Sequence, residues 1–197
     1  MFISFEGLDG CGKTTQAALL ADALRTEGRE VVAVREPGGT AAGERIRELL
    51  LDPSAQILPW AEALLYAAAR AQLVGEVIRP ALARGATVIA DRFIDSSVAY
   101  QGVARGLGID RVLAVNDAAT GGLQPDRTVL LRIPREEAAA RRDGDTDRME
   151  SEAGAFHESV AEGFSQAAAR FPERVRVVDA GGSREQVAAR VREAAGV

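Results

Sequence analysis

Short, densely apolar runs recur along the chain at residues 2–5, 31–35, 87–91, 128–133 and 175–178. Each is rich in Val, Ile, Leu or Phe without the strict alternation of a half-exposed strand, so each predicts a strand covered on both faces. Between them, apolar residues return every three to four positions over about 12–26, 41–51, 60–83, 94–104, 110–120, 135–142, 150–170 and 184–195. That period predicts helices. Strands alternating with helices build a parallel sheet flanked by helices on both faces. The punctuation agrees. Gly28, Gly85 and Gly122 sit where helices should stop, and Pro134 suits a first helical turn. Ser183, with Gln186 three residues on, reads as a capping box for the last helix. No repeat, linker or break in composition interrupts the pattern, which predicts one domain over residues 1–197.

The first strand runs straight into Gly7-Leu8-Asp9-Gly10-Cys11-Gly12-Lys13-Thr14-Thr15. This is the pattern G-x-x-x-x-G-K-[ST] between a strand and a helix, the context in which it binds a nucleoside triphosphate. Glycines let the backbone curl so that several N–H groups point inward, and the next helix aims its positive end at the same spot. Lys13 can bridge the terminal phosphates, and the hydroxyl of Thr14 can hold Mg²⁺. Lys13 is also the only lysine in the chain. The fold expected is therefore α/β: a P-loop NTPase fold on a five-stranded parallel sheet.

Composition narrows the partners. A net charge of −5 excludes the broad basic surface of a non-specific nucleic-acid binder. Local arginines can still recruit anions. No stretch approaches the ~18 apolar residues of a membrane span, and the opening apolar run is too short for a signal peptide. Cys11, the single cysteine, forms no internal disulfide and fits a reducing compartment. A cytoplasmic protein is expected.

Other candidate residues cluster where strands end, the edge at which open α/β sheets keep their ligands. After the second run comes Arg35-Glu36-Pro37-Gly38-Gly39-Thr40, a forced turn in which Thr40 can cap the following helix. Tyr66 and Arg70 are four residues apart on one helical face, where they could serve the core or frame a planar base. Asp91 closes the third run, the position at which an acid serves Mg²⁺ in P-loop proteins, and Arg92 offers a phosphate-binding fork. Phe93, Ser96, Ser97, Tyr100 and Gln101 follow, suited to surround a small ligand. The charged stretch 141–150 carries Arg141, Arg142 and Arg148. It lacks the Gly and Glu of a calcium loop and reads as a solvated loop or as a lid that closes over phosphates. A guanine-reading Asn-Lys-x-Asp motif is impossible in a chain whose only lysine is Lys13.

The P-loop GLDGCGKTT, the REPGGT turn, the Asp-Arg-Phe after the third strand and Asp147-Arg148-x-Glu150, in that order and spacing, resemble the bacterial thymidylate kinase family. The resemblance implies transfer of the ATP γ-phosphoryl group to deoxythymidine monophosphate (dTMP), with Mg²⁺, in a homodimer. By it Asp9 accepts a hydrogen bond from the acceptor's 3′-hydroxyl, and Arg92 holds its phosphate with Glu36 and Pro37 close by. Tyr66 stacks on thymine and Arg70 faces its carbonyl edge. Ser97 meets the base, Tyr100 crowds the sugar 2′ position, and Gln101 is a further substrate-binding candidate. Asp9 in the P-loop together with Arg141 and Arg142 matches the family type whose lid supplies the arginines. Thr14, Asp91 and Glu36 are the metal candidates. Lys13, Arg92 and the arginines at 141, 142 and 148 are the catalytic ones. The competing expectation is another small P-loop kinase, for a different nucleoside monophosphate or, with Glu36 as base, for a nucleoside.

Overall fold

A computed structural model describes residues 1–141, 148, 149 and 151–197. Strands and helices alternate as β1 (Phe2–Glu6), α1 (Lys13–Thr26), β2 (Val31–Arg35), α2 (Ala41–Leu51), α3 (Pro59–Leu73), α4 (Arg79–Ala83), β3 (Thr87–Asp91), α5 (Ile94–Ser97), α6 (Ile109–Thr120), β4 (Arg127–Arg132), α7 (Arg135–Ala140), α8 (Gly154–Arg170), β5 (Val175–Asp179) and α9 (Arg184–Ala195). A π-helical stretch, Val74–Ile78, joins α3 to α4; another, Val98–Ala104, prolongs α5.

The five strands form one parallel sheet in the order β2-β3-β1-β4-β5. Burial on both sides follows from the apolar runs. Ile3 and Phe5 of β1 point to α1 and α9, where they meet Leu20, Leu24, Val187 and Val191. Phe2 points the other way, among Leu73, Ile78, Phe93 and Ile94. Alternation along a strand puts Ser4 and Glu6 on that second face as well. Ser4 spends its hydroxyl on Thr128 at 2.8 Å, so the polar group costs little where it lies.

The chain leaves β1 toward β2 and leaves β3 toward β4, in opposite directions across the sheet. Such a reversal opens a crevice at the carboxyl ends of the two strands. Phe5 pairs with Asp91 there, and the Arg92 N–H donates to the Phe5 carbonyl at 2.9 Å. The P-loop and the Asp91-Arg92 turn are thus neighbours through the backbone alone.

Local signals hold at most boundaries. Thr40 caps α2 by accepting from the Gly43 N–H, and Ser183 and Gln186 form the reciprocal box at α9. Some bounds differ from expectation. The αL residue closing α6 is Gly121 instead of Gly122, and α8 starts at Gly154 instead of 150.

Candidate active site

The P-loop wraps the start of α1. Gly7, Gly10 and Gly12 all take positive φ, which L side chains resist, and a Cβ on Gly7 would lie 2.4 Å from the Leu131 carbonyl oxygen. Among the described residues no side chain caps α1, so its first N–H groups stay open to an anion. Lys13, only 6% exposed, donates to the Leu8 carbonyl at 2.8 Å and sits 3.6 Å from the Asp9 carboxylate. Cys11 is buried and packs in the core beneath the loop.

Arg92 meets the loop from the β3 side. Its guanidinium pairs with Asp9 and also donates to the Gly7 carbonyl (3.2 Å) and the Ser96 hydroxyl (3.0 Å). Tyr100 donates its phenol to the other Asp9 oxygen at 3.0 Å. Burial pushes the Asp9 carboxyl up, but Arg92 and Lys13 beside it win and hold it well below the usual carboxylate range. The Tyr100 phenol is driven far above its ordinary value, chiefly by burial, so it remains a neutral donor. An ionised Asp9 therefore sits between two cations, each of which can turn to a phosphate.

The hydroxyl of Thr14 donates to the Asp91 carboxylate at 2.6 Å. That pair fits Mg²⁺, which takes few protein ligands and completes its shell with phosphate oxygens and water. Glu36 turns elsewhere, to Arg70, although its Oε1 has no hydrogen-bond partner among the described residues. Burial pushes the Glu36 carboxyl up against the pull of Arg70. No cluster of three or more His, Cys, Asp or Glu is gathered as a metal cage among the described residues.

Arg70 is 1% exposed and heavily committed: Nε to Glu36 (2.7 Å), Nη1 to Ser97 (2.8 Å) and Asn116, Nη2 to the Phe93 carbonyl (3.0 Å). It fixes the wall of the pocket first. Contact with a base would ask one of these bonds to be exchanged. A single cavity of about 950 Å³ joins all of this. Pro37, Tyr66, Arg70, Ser97, Tyr100, Gln101 and Met149 line it on one side of the P-loop, while Ala180, Gly182, Ser183 and Arg184 line it where the chain leaves β5.

The arginines of the charged stretch separate. Arg141 is exposed, pairs with Glu137 and lines the cavity. Arg142 lies outside the described residues. Arg148 is buried, paired with Glu62 at 2.8 Å and donating to the Leu50 carbonyl at 2.8 Å, and it does not line the cavity. Several residues around the site gave no sequence signal: Glu6, Asn116 and Glu62 are buried single residues outside any motif, and Met149 is the unspecified position of Asp147-Arg148-x-Glu150.

Fold and site together define a P-loop protein whose anion-binding loop faces a second cation, Arg92, across the shared partner Asp9. Comparison with known proteins gives the family. A family model described as thymidylate kinase matches residues 5–191. The chain is 55% identical to the thymidylate kinase of Caldanaerobacter subterraneus subsp. tengcongensis over 90% of this chain and 86% of that one. It is 51% identical to that of Gloeobacter violaceus over all of this chain and 95% of its relative. The crystal structure of thymidylate kinase from Ehrlichia chaffeensis superposes with a TM-score of 0.79 at 34% identity, covering 98% of this chain and 97% of the other. The chain belongs to the thymidylate kinase family and has its P-loop NTPase fold.

Proposed function

We propose that the protein transfers the γ-phosphoryl group of ATP to dTMP, supplying deoxythymidine diphosphate for DNA precursors. The observation that carries this is the shared cavity, in which the open N-terminus of α1 with Lys13 lies beside Arg92 on the common partner Asp9. Two phosphate-binding sets facing one space suit transfer between two nucleotides better than hydrolysis of one.

The acceptor is itself a phosphate with a second pKa of about 6, so its oxygen is a nucleophile at neutral pH and needs no general base. What remains is in-line positioning and neutralisation of charge. In this reading the P-loop amides and Lys13 hold the donor phosphates and Arg92 holds the acceptor phosphate. Asp9 spaces the two cations and accepts from the sugar 3′-hydroxyl. Thr14 and Asp91 would hold Mg²⁺, which would polarise the donor phosphates, while Glu36 stays with Arg70. Tyr66 stacks on the base, Ser97 and Gln101 address its edge, and Tyr100 closes the 2′ side of the sugar. Arg141, with Arg142, supplies the charge that a lid over about 141–150 brings to the transferring group. Arg148 instead anchors that lid to α2 and α3.

We extend the proposal to a single domain, a homodimer and a cytoplasmic location. The family resemblance supports these, and no described helix is long and apolar enough to cross a membrane. The direct test is Lys13→Ala. Turnover should fall to background while circular dichroism and melting stay those of the parent. Parent-like turnover would remove the P-loop from the chemistry.

A further inference from the structure

Glu6 ends β1 one residue before the P-loop, is fully buried, and lines neither the nucleotide cavity nor the smaller one behind the loop. A carboxylate in such a place is expensive unless it is heavily bonded. It is. Oε1 accepts the N–H of Phe93 at 2.8 Å and of Ser96 at 3.2 Å, and Oε2 accepts the Ser96 hydroxyl at 2.6 Å. The first two donors belong to the start of α5, which has no side-chain cap of its own. Glu6 therefore caps α5 from a different element.

What that cap secures is Arg92. This residue has φ +73°, the one non-glycine with positive φ among the described residues. Such a conformation is strained and persists only where its surroundings over-determine it. Here the surroundings are two bonds on either side: Arg92 N–H to the Phe5 carbonyl, and Phe93 N–H to Glu6. The side chain is held by the same group at one remove, because the Ser96 hydroxyl that donates to Glu6 accepts from Arg92 Nη1. The remaining contact of that nitrogen is the Gly7 carbonyl, on the residue next to Glu6.

We infer that Glu6 is the positioning residue for Arg92, fixing both its strained backbone and the direction of its guanidinium so that the acceptor-phosphate group is pre-set against the P-loop. The inference rests on reading Arg92 as the holder of the acceptor phosphate. A preset cation binds without first ordering itself, so the loss on removing Glu6 falls on acceptor affinity and leaves the donor side unchanged.

The test is calorimetric titration with dTMP and, separately, with ATP–Mg²⁺ at pH 8, on Glu6→Gln, Ser96→Ala and Arg92→Ala alone and in pairs. Glu6→Gln keeps the shape and one acceptor oxygen. It should weaken dTMP binding about tenfold or more and leave ATP binding within threefold. In the Arg92→Ala background neither Glu6→Gln nor Ser96→Ala should weaken dTMP further by more than twofold. A general loosening of the fold would carry through that background and lower both affinities. Multiplying effects, or an unchanged dTMP affinity in a folded Glu6→Gln protein, would overturn the inference. Should Glu6→Gln fail to fold, the Ser96→Ala and Arg92→Ala pair decides alone. If Arg92→Ala by itself leaves dTMP affinity unchanged, the assignment of the acceptor site fails instead.

Discussion

Asp9 meets Lys13, Arg92 and Tyr100 at once, and the meaning of each follows from the partner it shares. At residue scale the same logic divides the arginines that the charged stretch offered as equals. Arg148 has a fully buried carboxylate partner, whereas Arg141 is exposed at the cavity. Removing one partner of a buried pair costs about 3–5 kcal/mol; Arg105 also bonds Glu62 and would recover part of it. Arg148→Ala should therefore lower unfolding stability by about 2–3 kcal/mol in urea titration, and Arg141→Ala by less than about 0.5 kcal/mol. Turnover should fall at least tenfold in Arg141→Ala at unchanged dTMP KM. Equal stabilities would contradict the anchoring role. Glu6 supplies a pH signature. Burial, with Asp95 nearby, pushes its carboxyl up to about 7 against the pull of Arg92. A raised carboxyl means that the folded state keeps a proton the unfolded chain releases above its ordinary value of about 4.5. The contribution is thus complete below about 4.5 and lost as pH rises through 7. Relative to Glu6→Gln, which cannot titrate, the parent should gain stability by an amount on the order of 3 kcal/mol between pH 8 and pH 4.5. A constant difference would contradict it.

At the scale of elements, what could be read in advance was what neighbouring residues decide. The capping box at Ser183 and the cap at Thr40 formed because a cap satisfies N–H groups two or three residues away. Replacing Thr40 by Ala should cost about 1 kcal/mol in chemical denaturation with unchanged kinetic constants. An altered dTMP KM would show that the cap also shapes the Glu36-Pro37 turn. The long apolar pattern over 60–83 gave one helix, whereas the molecule makes three segments with Val74–Ile78 as a π turn. That bonding register is set by packing against other helices, and a 3.6-residue period carries no trace of it. The capping of α5 by Glu6 was invisible for a related reason, since donor and acceptor are 87 to 90 residues apart. Of the charged stretch, Arg142 and the aspartates at 143, 145 and 147 fall outside the described residues. Arg148 looked like a lid cation because charge density gives no hint that Glu62 lies buried opposite.

For the whole molecule, the five parallel strands followed from the alternation of runs, while the order β2-β3-β1-β4-β5 did not. Apolar runs say how deeply a strand is buried and nothing of its neighbour. Yet that order brings Arg92 to the P-loop, so the site's central contact is a property of topology more than of motif. It also sets one cavity wall by α3 and α5 and the other by the chain after β5, with the P-loop between them. In the proposed reaction this cavity moves a phosphoryl group from ATP to a deoxythymidine nucleotide. The most direct measurement is a coupled ADP-release assay with ATP–Mg²⁺ against a panel of nucleoside monophosphates, their ribose forms and free nucleosides. Turnover confined to deoxythymidine and deoxyuridine monophosphates is the predicted result. Turnover on free nucleosides would contradict it, because Glu36, held by Arg70, would then have to act as a general base.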